Sequence, residues 1–151
     1  MPTSKKRVLI VDDEPSHRLL HRMYFSAVWS VDVDLAEASN GQESVLIAEQ
    51  WQPHLILMDL WMPQMDGYEA IRAIRAGAEA KPGGGVETLS PQIIVISAAT
   101  SELSRSLAFE AGCDAFVCKP YEMKQLYELV KQHLATIDRA IQVTSNMLLT
   151  A

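Results

Sequence analysis

The strongest constraint on the fold is a run of four apolar residues, 55 to 58, that ends in the carboxylate of Asp59. The run has no polar alternation, which is typical of a strand buried on both faces of a parallel sheet. A strand covered on both faces exposes functional groups only at its ends. We therefore expect Asp59 at the carboxyl edge of the sheet, where doubly wound folds form their binding crevice.

The segment after Asp59 contains the signals that end a strand and begin a helix. Pro63 lacks an amide donor and biases Met62 away from helix, so the strand stops before it. Asp66 is a good N-cap, and we predict a helix from there to about Ala76. Taken alone, this segment fits a capped strand-turn-helix with a solvent-facing Asp59 as well as it fits a binding site.

The rest of the chain repeats the alternation of strand and helix. Further strands are predicted at 7–11, 31–36 (near the sheet edge), 93–96 and 115–118. Helices are predicted at about 15–28, 42–50, 103–111 and from 122 onward, and the segment 77–92 is predicted to be a loop. Five strands that alternate with five helices indicate an α/β domain with a parallel sheet and right-handed crossovers.

Apolar spacing predicts which helix faces are buried. In the first helix the residues at helical spacing are Leu19, Leu20, Met23 and Tyr24, and the inward residues predicted for the second are Val45, Leu46 and Ala48. The four histidines have no spacing suited to a metal site, so we interpret all of them, His21 included, as surface or strand-end residues.

The composition excludes several classes of protein. The net charge of −6 over 151 residues argues against a nucleic-acid partner, which normally needs a basic face. No apolar run approaches the ~18 residues that span a bilayer, so no membrane contact is expected, and no secretory signal begins the chain. Two cysteines, Cys113 and Cys118, are too few for a disulfide framework or a zinc site. We expect a cytoplasmic protein.

Polar residues follow four of the predicted strands: Asp12 and Asp13, then Asp59, Ser97 and Lys119. In a doubly wound fold they meet at one edge of the sheet. Three converging carboxylates repel one another unless a cation lies among them, and an open site of oxygen ligands suits Mg²⁺. An acceptor carboxylate, a metal, an ammonium and a hydroxyl are what a phosphoryl group in transit requires.

Over residues 6 to about 135 the chain resembles a response-regulator receiver domain of two-component signalling. The matching segments, in order, are VLIVDDEP, LILMDLWMPQMDG, VISA and FVCKP. The resemblance implies a flavodoxin-like fold, a doubly wound parallel sheet with strand order 2-1-3-4-5. It divides the chain into a lead-in at 1–5, a receiver domain at 6–135 and a tail at 136–151.

The resemblance also implies a role for each acidic residue. Asp59 would accept phosphate from the phosphohistidine of a histidine kinase or a phosphotransfer domain. Asp13, Asp59 and the backbone carbonyl of Trp61 would bind Mg²⁺ directly, while Asp12 would act largely through water. Such a receiver phosphorylates itself and loses its phosphate slowly, and it is not a classical enzyme.

The other conserved roles implied by the family fall on the later strands. Ser97 and Lys119 would hold phosphoryl oxygens, Phe116 would be an aromatic switch that turns inward as Ser97 moves, and the bond from Lys119 to Pro120 would be cis. Trp61 and Ala99 depart from the polar residues common at their positions, which bears on how water reaches an acyl phosphate.

Several alternatives stay open. The loop at 77–92 and the segment AGCDAFVCKP resemble receivers of hybrid histidine kinases, but a stand-alone receiver and a fragment of a longer chain fit as well. A Mg²⁺-dependent aspartyl-phosphate phosphatase would share the nucleophile, yet it needs an acid where Trp61 stands. A phosphate-independent interaction module is disfavoured, because all five site residues are present.

The end of the chain carries a heptad pattern: Met123, Tyr127, Val130, Leu134, Ile137, Ile141, Thr144 and Leu148. No Gly or Pro interrupts 121–151, so we predict that the fifth helix extends to about Ser145. The first half of the stripe suits packing on the sheet. The second half predicts a weak homodimer, with folding back or a connector to another domain as alternatives.

Overall fold

Five strands and five helices alternate in the computed structural model, which describes residues 5–27, 33–80 and 90–150. The strands are β1 (Lys6–Val11), β2 (Val33–Ala38), β3 (Leu55–Asp59), β4 (Gln92–Ser97) and β5 (Ala115–Cys118). The helices are α1 (Pro15–Ala27), α2 (Gly41–Trp51), α3 (Gly67–Glu79), α4 (Glu102–Ala111) and α5 (Met123–Leu149).

The sheet is parallel throughout and has the order β2-β1-β3-β4-β5, which confirms the predicted flavodoxin-like fold. All five residues of β3 are buried, as expected for an apolar run without alternation. β2 lies at one edge of the sheet, and its residues are mostly half-buried. The strand that ends in Asp59 therefore occupies the centre of the sheet.

Alternate residues of the central strands enter two separate cores. Leu9 and Ile56 belong to the core under α2, α3 and α4, whereas Val8 and Leu55 belong to the core under α1 and α5. Successive side chains of a strand point to opposite faces, so a strand between two helical layers must be apolar at every position. The absence of alternation in the sequence thus has a direct structural cause.

The start of α3 is pressed against the end of β3. The Asp66 side chain caps the helix by accepting a hydrogen bond from the Glu69 amide over 2.9 Å, as predicted. The Gly67 amide donates to the Leu60 carbonyl over 2.8 Å. A Cβ on Gly67 would lie 2.3 Å from the Asp59 carbonyl oxygen, so only glycine fits this close approach.

Some predicted boundaries were wrong. α3 continues to Glu79 rather than stopping near Ala76, since alanines and a tolerated glycine follow and nothing breaks the helix. β2 runs two residues beyond the predicted end at 36, because an edge strand with mixed polarity gives a weak periodic pattern. Of the predicted loop, residues 81–89 lie outside the described parts, as do residues 28 and 31–32 of the predicted first helix and second strand.

The predicted helix faces were also partly wrong. Leu46 is 52% exposed, and Leu19, Leu20 and Met23 lie on an exposed face of α1. The buried residues of α1 are instead Phe25 and His21, so the interpretation of His21 as a surface residue was incorrect. The reason is tertiary: Tyr127 of α5 packs against the Phe25 ring and donates to the His21 carbonyl, so this face of α1 is covered.

Helix α5 passes residue 135 without a break and ends at Leu149, four residues beyond the predicted end near Ser145, because no helix-breaking residue follows. Ile137 is buried in the core under α1 and α5, and the Lys6 ammonium pairs with the Asp138 carboxylate over 2.5 Å. Beyond these contacts Val143, Met147 and Leu148 are exposed. Within the described residues, no helix has both the length and the apolar character needed to cross a bilayer.

Candidate functional site

Three carboxylates meet at the carboxyl edge of the sheet. Asp12 and Asp13 follow β1 directly, and Asp59 ends β3, which is the neighbouring strand. Each of the three offers an oxygen within 4.8 Å of the other two. Asp12 and Asp59 are only 6% and 8% exposed, so the acidic group is set into the surface rather than displayed on it.

Lys119 supplies the positive charge of the site. It follows β5, and its Nζ lies 3.9 Å from an Asp12 carboxylate oxygen and 4.0 Å from an Asp59 oxygen. Its backbone amide donates to the Ser97 carbonyl over 2.8 Å, and its bond to Pro120 is cis, as the resemblance implied. One ammonium stands against three carboxylates, so the site keeps an excess of negative charge.

The pKa of the Asp59 carboxyl lies above its ordinary value. Burial is the largest cause; Asp12 and Asp13 act in the same direction, while Lys119 and a long hydrogen bond of 3.4 Å from the Trp61 amide act against them. A further cation would relieve the repulsion. The donor set is entirely carboxylate oxygen, which fits a hard divalent cation, so Asp12, Asp13 and Asp59 together are able to hold a metal.

Asp12 is the most heavily engaged of the three. One of its oxygens accepts from the Glu14 amide over 2.9 Å, and the other lies 3.1 Å from His17 Nδ1. The Arg18 guanidinium donates to its backbone carbonyl over 2.7 Å. These contacts come from the turn into α1, so the helix start holds this carboxylate in place.

The remaining predicted site residues lie around the acidic group. Ser97 is fully buried at the end of β4, and its hydroxyl accepts a hydrogen bond from the Ala99 amide over 3.0 Å. Phe116 is 9% exposed, and the Arg105 guanidinium of α4 lies 5.8 Å from the centre of its ring. The Trp61 side chain is 61% exposed.

Two residues near the site were missed in the sequence. His21 is 3% exposed, and its Nε2 lies 3.1 Å from the hydroxyl of Tyr121, the second residue after Lys119. Burial lowers the pKa of His21 to about 4, so the imidazole is neutral at neutral pH. One available sign was its position four residues before Phe25, which places both side chains on one face of α1.

Comparison with known proteins gives the same picture. The family model described as "Response regulator receiver domain" matches residues 8–131. The transcriptional regulatory protein ResD of Bacillus subtilis is 34% identical over 143 residues, which cover 94% of this chain and 52% of ResD. This chain spans about half the length of the curated relatives it matches.

Solved structures share the fold. A receiver domain protein (CheY-like) from Methanospirillum hungatei has a TM-score of 0.72 at 24% identity, covering 90% of this chain and 98% of the other. The receiver domain of sensor histidine kinase PA1611 from Pseudomonas aeruginosa, solved with a magnesium ion in its active site cleft, has a TM-score of 0.68 at 23% identity, covering 92% and 99%. With the matched family model, these findings show that the chain belongs to the response regulator receiver domains, the phosphoacceptor modules of two-component signalling.

Proposed function

We propose that Asp59 is the residue of this chain that accepts a phosphoryl group from the phosphohistidine of a histidine kinase or phosphotransfer domain. The observation that carries the proposal is the position of its carboxylate. It ends the central strand β3, it is almost buried, and it lies between two further carboxylates and the Lys119 ammonium. No other described acidic group combines these properties.

The transfer exchanges one bond for another. An Asp59 carboxylate oxygen attacks phosphorus, the bond from phosphorus to the donor imidazole nitrogen breaks, and that nitrogen keeps the electron pair and takes up a proton. The product is an acyl phosphate. The Lys119 ammonium balances negative charge on the oxygens of the transferring group, which is where a loose phosphoryl transition state carries its charge. Ser97 would contribute a hydroxyl to the same oxygens.

We assign Mg²⁺ to the acidic group. Asp13, Asp59 and the Trp61 carbonyl would bind the ion directly, while Asp12 would act through water, which agrees with the existing contacts of both Asp12 oxygens. A bound ion would supply charge neutralisation around the acceptor. It would also favour the ionised, nucleophilic form of Asp59, whose pKa is raised without it.

Phosphorylation would be read out through Ser97 and Phe116. The Ser97 hydroxyl would leave the Ala99 amide for a phosphoryl oxygen, and Phe116 would follow on the neighbouring strand. The Arg105 guanidinium lies near both Phe116 and Phe109, so a movement of the Phe116 ring would be felt by α4. The signal would thus be a change in the surface that the domain presents to its partners. In this role the chain would not be a classical enzyme.

Partners would meet the domain beside the site. The exposed apolar residues Leu19, Leu20 and Met23 lie on α1, which starts two residues after Asp13, and they suit a helical phosphotransfer partner. The net charge of −6 argues against direct contact between this chain and a nucleic acid. We propose that the chain is a cytoplasmic receiver of the kind found in hybrid histidine kinases. We further propose that its domain ends near residue 135 and that the end of α5 forms a weak homodimer.

Acetyl phosphate with Mg²⁺ provides the test without a cognate kinase. The wild-type chain should gain one phosphoryl group in intact-mass measurements, and Asp13→Ala should gain none because it lacks a metal ligand. Omission of Mg²⁺ should have the same effect in the wild type. Normal phosphorylation of Asp13→Ala would show that the metal assignment is wrong.

A further inference from the structure

A buried polar contact joins α1 to the turn that carries Lys119. The Tyr121 hydroxyl lies 3.1 Å from Nε2 of His21, and the two rings are nearly parallel, with an interplanar angle of 15° and centroids 6.3 Å apart. Nδ1 of His21 is buried and has no hydrogen-bond partner among the described residues. The contact with Tyr121 is therefore the polar interaction that orients this imidazole.

Both ends of the turn are tethered to neighbouring elements. At one end the Lys119 amide donates to the Ser97 carbonyl of β4, and at the other end the Tyr121 hydroxyl meets His21 of α1. Lys119 is the residue at the first of these ends, and its side chain reaches Asp12 and Asp59 at 3.9 and 4.0 Å. At that distance it contacts the carboxylates only loosely, so its position depends on the backbone that carries it.

The hydrogen-bonded pair of His21 and Tyr121 is uncharged at neutral pH, although it lies near the carboxylates. Asp12 and Asp59 lie close enough to Tyr121 to help burial raise the pKa of its hydroxyl, which keeps the phenol protonated. His21 is neutral at neutral pH because burial opposes its charged form. The pair therefore adds no charge that would compete with the Lys119 ammonium for the carboxylates.

We propose that the hydrogen bond between His21 and Tyr121 is a positioning contact that holds the turn, and with it the Lys119 ammonium, beside Asp12 and Asp59. The inference rests on the proposed function for the part that concerns phosphoryl transfer. The placement of Lys119 itself also affects metal binding, because an ammonium and a divalent cation compete for the same carboxylates.

Tyr121→Phe removes the hydroxyl and keeps the ring, so it tests the contact with little loss of packing. We expect the rate of phosphorylation by acetyl phosphate to fall about tenfold, since small misplacements of a charge-stabilising group have effects of this order or larger. We expect Mg²⁺ to bind about threefold more tightly, because the competing ammonium is held less firmly. Mg²⁺ affinity is read from tryptophan fluorescence. General structural damage would instead lower both the phosphorylation rate and the Mg²⁺ affinity.

Tyr127→Phe is the matched control. Tyr127 lies on α5, outside the turn that carries Lys119, and its hydroxyl donates to the backbone carbonyl of the same His21 over 3.2 Å. Its variant should lose stability while keeping the wild-type phosphorylation rate and Mg²⁺ affinity. A double variant, His21→Leu with Tyr121→Phe, should be no slower than Tyr121→Phe alone, because both changes remove one shared interaction.

The outcomes separate the two proposals. An unchanged Mg²⁺ affinity in Tyr121→Phe, or the same changes in Tyr127→Phe, would overturn the positioning role. Failure of the wild-type chain to accept a phosphoryl group on Asp59 would contradict the proposed function alone. The Mg²⁺ titrations would still decide the positioning role in that case, because they measure the placement of Lys119 without phosphorylation.

Discussion

The Lys119 amide donates a hydrogen bond to the Ser97 carbonyl over 2.8 Å, where β5 and β4 end side by side. The two residues assigned to phosphoryl oxygens are thus joined through their backbones. A shift at one of them moves the other, so the hydroxyl and the ammonium respond together to a group on Asp59.

We expect the phosphoryl group to be long-lived. Hydrolysis needs an in-line water, and neither the exposed Trp61 indole, which is a donor only, nor the Ala99 methyl can accept a hydrogen bond from it. Trp61→Asn and Ala99→Glu should each speed dephosphorylation, on the order of tenfold for one regained positioning contact. The measurement is the decay of intact phosphorylated mass after removal of acetyl phosphate. If both variants keep the wild-type half-life, Trp61 and Ala99 do not limit hydrolysis of the acyl phosphate.

Two glycines of one helix should respond oppositely to alanine. In Gly67→Ala the new methyl group meets the backbone of Asp59 and Leu60 within 2.7 Å, and such overpacking costs about 1–3 kcal/mol. In Gly77→Ala nothing lies within 4 Å of the new Cβ, so the better helix propensity should stabilise the fold by roughly 1 kcal/mol. Urea unfolding measures both. A stable Gly67→Ala would contradict the close packing of α3 on the acceptor strand.

The strand that ends in Asp59 was the most predictable part of the chain. The apolar run Leu55 to Met58 lacks polar alternation, as a strand between two helical layers requires, so its central position and the location of Asp59 at the sheet edge follow together. The cap at Asp66 was equally clear, because capping depends on a few neighbouring residues.

Features that depend on distant contacts were harder to predict. Which face of α1 is buried is decided by α5, more than 90 residues further along the chain, so His21 was misplaced although the helix itself was recognised. Tyr121 has no local pattern that connects it to α1. The edge strand β2 has one neighbour and mixed polarity, which blurs its ends.

The raised pKa of Asp59 predicts how stability depends on pH. The unfolded chain loses this proton near the ordinary pKa of about 3.9, whereas the folded chain loses it at higher pH. Between these values the folded state binds more protons, so stability falls as pH rises through the window and stays lower above it. Asp59→Asn has no charge to bury and should melt at a higher temperature than wild type at pH 7.

The difference in melting temperature between Asp59→Asn and wild type should narrow as the pH falls from 7 to 4, because a growing fraction of the wild-type carboxyl is protonated. Added Mg²⁺ should narrow it at pH 7, because the ion stabilises the wild-type carboxylate. Thermal unfolding at the two pH values is the measurement. If the melting temperatures of the two proteins differ by the same amount at pH 4 and pH 7, the charge of Asp59 is not the cause of the difference.

The end of α5 should associate weakly with a second copy. The buried part of the heptad stripe reaches Ile137, and Ile141 packs against the same core. Farther along, Leu148 of the stripe is exposed, as are Val143 and Met147 beside it. Fewer than three free heptads give a marginal coiled coil, so dimers should form only at high concentration. Sedimentation equilibrium should show less dimer after truncation at Gln142, which keeps the contacts of Ile137 and Asp138. If the full chain and the truncated chain are both monomeric at high concentration, the end of α5 is better explained as a connector to another domain.

The central claim, that Asp59 is the acceptor, is tested most directly by locating the phosphoryl group. After reaction with acetyl phosphate and Mg²⁺, borohydride reduces an acyl phosphate to an alcohol, which marks the modified residue for peptide mass spectrometry. We predict that the mark falls on residue 59 alone and disappears in Asp59→Asn. A mark on Asp12 or Asp13, or labelling of Asp59→Asn at the wild-type level, would contradict the account.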